Sequence, residues 1–205
     1  MSEMSRRDAL QNLAAIPAGV VISPELIERA RAHVEELLGP QGAQGTPGAA
    51  QQARAYQPKQ FTPDEWKLVR LLVNYVIPRD ARSGSATDAG VPEFMDFMLG
   101  ENAGMRTWMR NGIGWLNGEC RRRFVKGFVS CDDAQRREVL DAIAFPKRAA
   151  PEAKPGVDFF NSFRNLTASG FFSSRIGVAD LGYVGNRAVA MWEGTPPAVI
   201  RKMGL

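Results

Sequence analysis

The chain has 205 residues, with 26 Lys and Arg against 22 Asp and Glu, one histidine and two cysteines. Three Cys and His side chains cannot furnish a four-ligand structural zinc site. Covalent haem attachment and phosphate-cradling loops are excluded too, because no Cys-x-x-Cys-His, G-x-G-x-x-G or G-x-x-x-x-G-K-[ST] stretch occurs.

A composition of 44% hydrophobic and 23% charged residues is that of a soluble globular protein. Arginine outnumbers lysine 20 to 6, but a net charge of +4 is mild and reads as solubility before it reads as a nucleic-acid footprint.

Residues 1–22 open with Ser5-Arg6-Arg7-Asp8 and continue into a mostly apolar run from Leu13 to Ile22. Paired arginines before a weakly apolar stretch match a twin-arginine export signal. The competing reading is a short helix carrying two solvated arginines. The run is too short, and too interrupted by Pro17 and Gly19, to span a bilayer.

Ser23 as N-cap and Pro24 at the first helical position predict a helix over 23–38, with Leu26, Ala30, Val34, Leu37 and Leu38 near one stripe. His33 lies in this charged stretch, far from any Ser- or Cys-centred motif. Residues 39–60 are rich in Gly, Pro, Gln and Ala without periodicity and read as a flexible linker. The preceding helix is therefore expected to be an arm separate from the main body.

The body spans 61–170. Thr62-Pro63-Asp64-Glu65 is a capping-box signature, and Trp66, Val69, Leu72, Val73, Val76 and Ile77 follow at helical spacing. After a polar loop over 79–90, Val91-Pro92-Glu93 starts a second helix. A third is predicted over about 104–128, where Trp108, Gly112, Leu116, Cys120, Phe124 and Phe128 recur every four residues.

Asp132 and Asp133 precede a fourth helix that ends before Pro146. A fifth opens at Pro155 and carries Phe159, Phe160, Phe163 and Leu166 as core. No segment alternates with period two. The fold class is all-α: a compact helical bundle with an N-terminal helical arm and a long irregular C-terminal segment.

That last segment, 171–205, mixes Phe171, Phe172, Ile176, Leu181, Tyr183, Asn186 and Trp192 with Gly177, Gly182 and Gly185, and closes in a short helix over about 197–203. Either it wraps its own bundle or its apolar groups lie on another protein. The basic run Arg121-Arg122-Arg123 reads as a solvated helix face, with pairing to a partner's carboxylates as the alternative.

The carboxylate pairs Asp64/Glu65 and Asp132/Asp133 sit where capping explains them. Cys120 is expected to be a buried thiol, too far from Cys131 for a disulfide. Cys131, in an inter-helix turn, is either free or bridged to another chain.

Two stretches then suggest a family. Thr62-Pro63-Asp64-Glu65, the helix ending Tyr75-Val76-Ile77-Pro78-Arg79, and Gly90-Val91-Pro92-Glu93-Phe94-Met95-Asp96 resemble the gluconate 2-dehydrogenase subunit 3 family. So does the run from Phe159-Phe160 through Leu166-Thr167-Ala168-Ser169-Gly170 to Leu181-Gly182-Tyr183-Val184-Gly185-Asn186. Trp192-Glu193-Gly194-Thr195-Pro196 looks like the branch found beside sugar and glycoside 3-dehydrogenases.

The resemblance covers roughly 61–205. It implies a non-catalytic small subunit with no cofactor of its own. The partner it implies is a large subunit of the glucose–methanol–choline type that holds FAD, sometimes an iron–sulfur cluster, and passes electrons to a c-type cytochrome.

The resemblance also implies a periplasmic location reached by the twin-arginine route, with Arg6 and Arg7 as the signal and the folded large subunit as cargo. Some members of the family make an intersubunit disulfide. Phe171, Phe172, Ile176, Leu181, Tyr183, Asn186 and Trp192 are the expected interface, so deleting 171–205 is expected to abolish co-purification. The alternatives from other classes are a basic nucleic-acid-binding module, marked by steep salt dependence, and a stand-alone carboxylate enzyme.

Overall fold

The structure, a computed structural model, describes residues 23–39, 56–183, 194–195, 197–202 and 204. Among the described residues there are eight α-helices and no strand, so the protein is all-α as its periodicity predicts. The helices are α1 (Pro24–Leu38), α2 (Pro63–Val76), α3 (Val91–Glu101), α4 (Ala103–Phe124), α5 (Asp133–Ala144), α6 (Lys154–Ser173), α7 (Arg175–Leu181) and α8 (Pro197–Lys202). Short 3-10 turns occupy Phe128–Ser130 and Pro151–Ala153.

Local chemistry sets most of the boundaries. Ser23 Oγ accepts from Leu26 N at 3.2 Å and starts α1. Thr62 and Glu65 exchange reciprocal hydrogen bonds at the start of α2, and Asp132 and Gln135 do the same for α5. Asn102 caps α4 through Met105 N.

The predicted third helix stops four residues early, at Phe124. Val125 takes the left-handed conformation (φ 59), and Gly127 then turns the chain into the 3-10 segment. Phe128 is fully buried, but from that segment rather than from the helix.

Helix α6 is the hub. It packs against α1, α2, α3, α4, α5 and α7. Phe159, Phe160, Phe163, Leu166 and Phe171 are all buried, and so are Val157, Ser162, Thr167 and Gly170 on its other sides. A helix buried on most of its circumference must satisfy its own polar groups. Thr167 does so by donating Oγ1 to the Phe163 carbonyl at 2.8 Å.

Two expectations are corrected. Helix α1 is not a detached arm: it lies on α3 and α6, with Ala30, Val34 and Leu38 in the common core. Burying Val34 and Leu38 contributes about 2 kcal/mol each. The approach is so close that a Cβ on Gly90 would overlap the Val34 side chain, and Gly90 also has φ +73, so both sterics and backbone select glycine there.

The second correction concerns the segment after 170. Helix α6 runs on to Ser173, and α7 follows directly, so 171–181 is helical and not irregular. Gly177, which reads as a helix breaker, is required by packing instead, because a Cβ there would strike the Phe171 carbonyl.

Candidate partner interface

The junction of α6 and α7 is built around Ser174. Its hydroxyl donates to the Phe171 carbonyl at 2.6 Å and accepts from Gly177 N at 3.1 Å, closing one helix and opening the next. The turn lays Ile176 and Gly177 against the bundle. The far end of α7 is held by Arg82, whose guanidinium donates to the Asp180 carbonyl at 2.9 Å and sits 3.5 Å from its carboxylate. The loop carrying Arg82 is itself ordered by Asp80, which accepts from the backbone N–H groups of Ser83 and Arg82, and these hold its carboxyl below the usual range.

This geometry divides the residues expected at an interface. Phe171 (1% exposed) and Ile176 (8%) belong to the chain's own core, where a partner cannot reach them. Phe172, Leu181 and Tyr183 are exposed, at 41, 62 and 61% respectively. Phe172 stands edge-on to Phe171, with ring centroids 5.2 Å apart. Asn186, Trp192, Arg6 and Arg7 lie outside the described residues.

A cleft of about 40 Å³ opens beside the junction, between Val34 and Leu38 of α1, Ala89, Phe94 and Ser174. It holds on the order of one water and is far smaller than a small-molecule pocket.

The sequence reading missed two buried carboxylates on α3. Asp96 is 2% exposed and accepts three hydrogen bonds of 2.8 Å, from the Tyr56 hydroxyl and from the backbone N–H groups of Lys59 and Gln60. It thereby ties the chain entering α2 to the bundle. Glu93, one turn earlier, is 1% exposed. Arg70 Nη1 is 3.5 Å from its carboxylate, and both carboxylate oxygens lack a hydrogen-bond donor among the described residues. Burial pushes the Glu93 carboxyl up to about 7, against the pull of Arg70. Glu93 sits in the first turn of α3, where an acid ordinarily reads as a capping or solvent-facing group, and Asp96 one turn later reads as a solvent-facing acid, which is why neither stood out.

The basic run behaves as a largely self-paired surface. Arg122 grips Glu119 with bonds of 2.8 and 2.7 Å, and Arg123 adds one of 2.7 Å while reaching Glu138 at 3.2 Å. These guanidinium contacts hold Glu119 down to about 2.

Both cysteines are free thiols and both are buried, Cys120 at 0% and Cys131 at 2% exposure. The Cys120 thiol is pushed up to about 12 by burial and by the Cys131 thiol beside it. The two thiols thus lie side by side across the turn. The chain turns back after Phe124 instead of extending the helix.

The model of the family described as gluconate 2-dehydrogenase subunit 3 matches residues 63–194. The chain belongs to that family. None of the curated proteins and none of the solved structures compared with it matches. The family match runs from α2 past α7 and so contains the α6–α7 junction, both buried α3 carboxylates and both cysteines. Helix α1 precedes it in sequence but packs on its elements. Membership makes the chain a subunit of a dehydrogenase complex. Among the described residues, no helix is long and apolar enough to cross a membrane.

Proposed function

We propose that this family member is the non-catalytic small subunit of a periplasmic sugar or glycoside dehydrogenase. Its partner is an FAD-bearing large subunit of the glucose–methanol–choline type, in some complexes with an iron–sulfur cluster, and that subunit delivers electrons to a c-type cytochrome. The small subunit stabilises the large one, and Arg6 and Arg7 address the folded pair to the twin-arginine route. The flavin chemistry and the choice of sugar belong to the partner, and this chain contributes a docking surface.

The family match over 63–194 carries this reading. Exposed apolar side chains support it, because Phe172 near the end of α6, Leu181 at the end of α7 and Tyr183 just past its C-cap are exposed while most large apolar groups of the bundle are buried. The test is co-expression with a flavoprotein dehydrogenase of that type encoded in the same genome, purifying through a tag on this chain. A yellow, flavin-containing complex is expected.

Removing residues 171–205 would strip Phe171 and Ile176 from the core and so test folding rather than docking. The informative variant is the double substitution Leu181→Ala and Tyr183→Ala. It should reduce recovery of the flavoprotein at least tenfold, at an unchanged melting temperature for the small subunit. Full recovery of the complex would remove the end of α7 from the interface.

A further inference from the structure

Cys120 lies in the last turn of α4, and Cys131 ends the 3-10 turn that follows. The two elements are locked together three residues before each sulfur. Asn117, three residues before Cys120, accepts through Oδ1 from the backbone N–H of Phe128 at 3.0 Å. Phe128 in turn lies three residues before Cys131. Cys120 lies one turn beyond Asn117, and Cys131 follows directly on the 3-10 turn that Asn117 holds, so the Cys131 thiol sits beside the Cys120 thiol.

Other groups hold the turn from outside. Arg136 donates to the carbonyls of Phe128 at 3.0 Å and Val129 at 2.8 Å, and Cys131 N bonds the carbonyls of Gly127 and Phe128. Both thiols sit in the same apolar cluster.

We propose that Cys120 and Cys131 form a disulfide within this chain when the protein meets a disulfide donor, making the pair a redox modification site. One cysteine, as thiolate, attacks a donor disulfide. A mixed disulfide forms and one donor thiol leaves. The second cysteine thiolate then attacks the protein sulfur of that mixed disulfide, forming the Cys120–Cys131 bond and releasing the second donor thiol. Each cysteine gives up one proton, the protein loses two electrons, and the donor is reduced to two thiols.

The inference stands on the placement of the turn and not on the proposed export route. It also opposes a bridge from Cys131 to another subunit, since that sulfur is enclosed by its own chain. Because both thiols are buried, exchange requires the 125–131 turn to open. That turn exposes Val125, Val129 and Ser130.

The experiment treats the full chain with oxidised glutathione in two arms, once folded and once during refolding from urea, where burial is no barrier. Free thiols are then alkylated in denaturant and the chain is cut with trypsin. The expected product is the peptide 111–121 joined to 127–136, with the loss of two hydrogens, formed in the refolding arm and more slowly in the folded one. The oxidised chain should melt several degrees higher than the reduced one. A Cys120→Ala chain should show neither the linked peptide nor the shift.

Recovery of both peptides alkylated in both arms would overturn the proposal. So would separate glutathione adducts, or dimers linked between chains.

Discussion

Replacing Glu93 by Gln isolates the cost of an ionised carboxylate inside the bundle. Glu93 takes up its proton near 7 in the folded chain, against 4.5 for an ordinary glutamate, because burial disfavours its charged form more than Arg70 at 3.5 Å restores it. The folded state thus holds this proton more tightly than the unfolded state does. The associated stability is fully present below about pH 4.5 and is lost as pH rises through about 7.

At about 1.4 kcal/mol per tenfold change in proton affinity, the gap corresponds to about 3 kcal/mol. Gln keeps the shape and cannot ionise. Urea unfolding of both chains at several values from pH 4.5 to 8 gives the difference between them, in which groups common to both cancel. That difference should move by about 3 kcal/mol in favour of the Gln chain across the window. A constant offset at all pH values would refute the reasoning, because it would mean that Glu93 titrates alike in both states.

Two further substitutions probe the other unusual positions. Asp96→Ala deprives the Tyr56 hydroxyl and two backbone N–H groups of their acceptor, so a loss of about 3 kcal/mol is expected, with faster amide exchange at Lys59 and Gln60 than elsewhere in the bundle. Val125→Gly should stabilise the chain by about 1 kcal/mol, because a β-branched residue at φ 59 is strained and its side chain, 91% exposed, packs on little. A lower melting temperature for that variant would place Val125 in a contact that matters.

The helices were legible where a capping residue and an apolar stripe coincide, as at Ser23-Pro24 and Thr62-Pro63-Asp64-Glu65. Helix α7 was not, because Gly177 and Gly182 read alike as breakers. The first is in fact a packing requirement against Phe171, and the second is the left-handed C-cap of the helix. The docking of α1 was hidden by the composition of the residues that follow it. A linker-like stretch says nothing about whether the helix before it finds a surface.

Of the candidate interface, the apolar character of Phe172, Leu181 and Tyr183 was legible. Which neighbours the bundle would claim was not, because burial of Phe171 and Ile176 depends on the turn at Ser174. The pairing of the two sulfurs depends in the same way on where α4 stops, which is decided by the backbone of one residue, Val125.

The three hydrogen bonds at Asp96 alter what the stretch rich in Gly, Pro and Gln can do. With α1 seated on the bundle up to Gly39 and the chain pinned again from Tyr56, both ends of residues 40–55 are anchored to one body. The stretch therefore joins two points of one body and not two bodies. Doubling its length would cost only about 0.6 kcal/mol in closure entropy, so insertions and tags should be tolerated there.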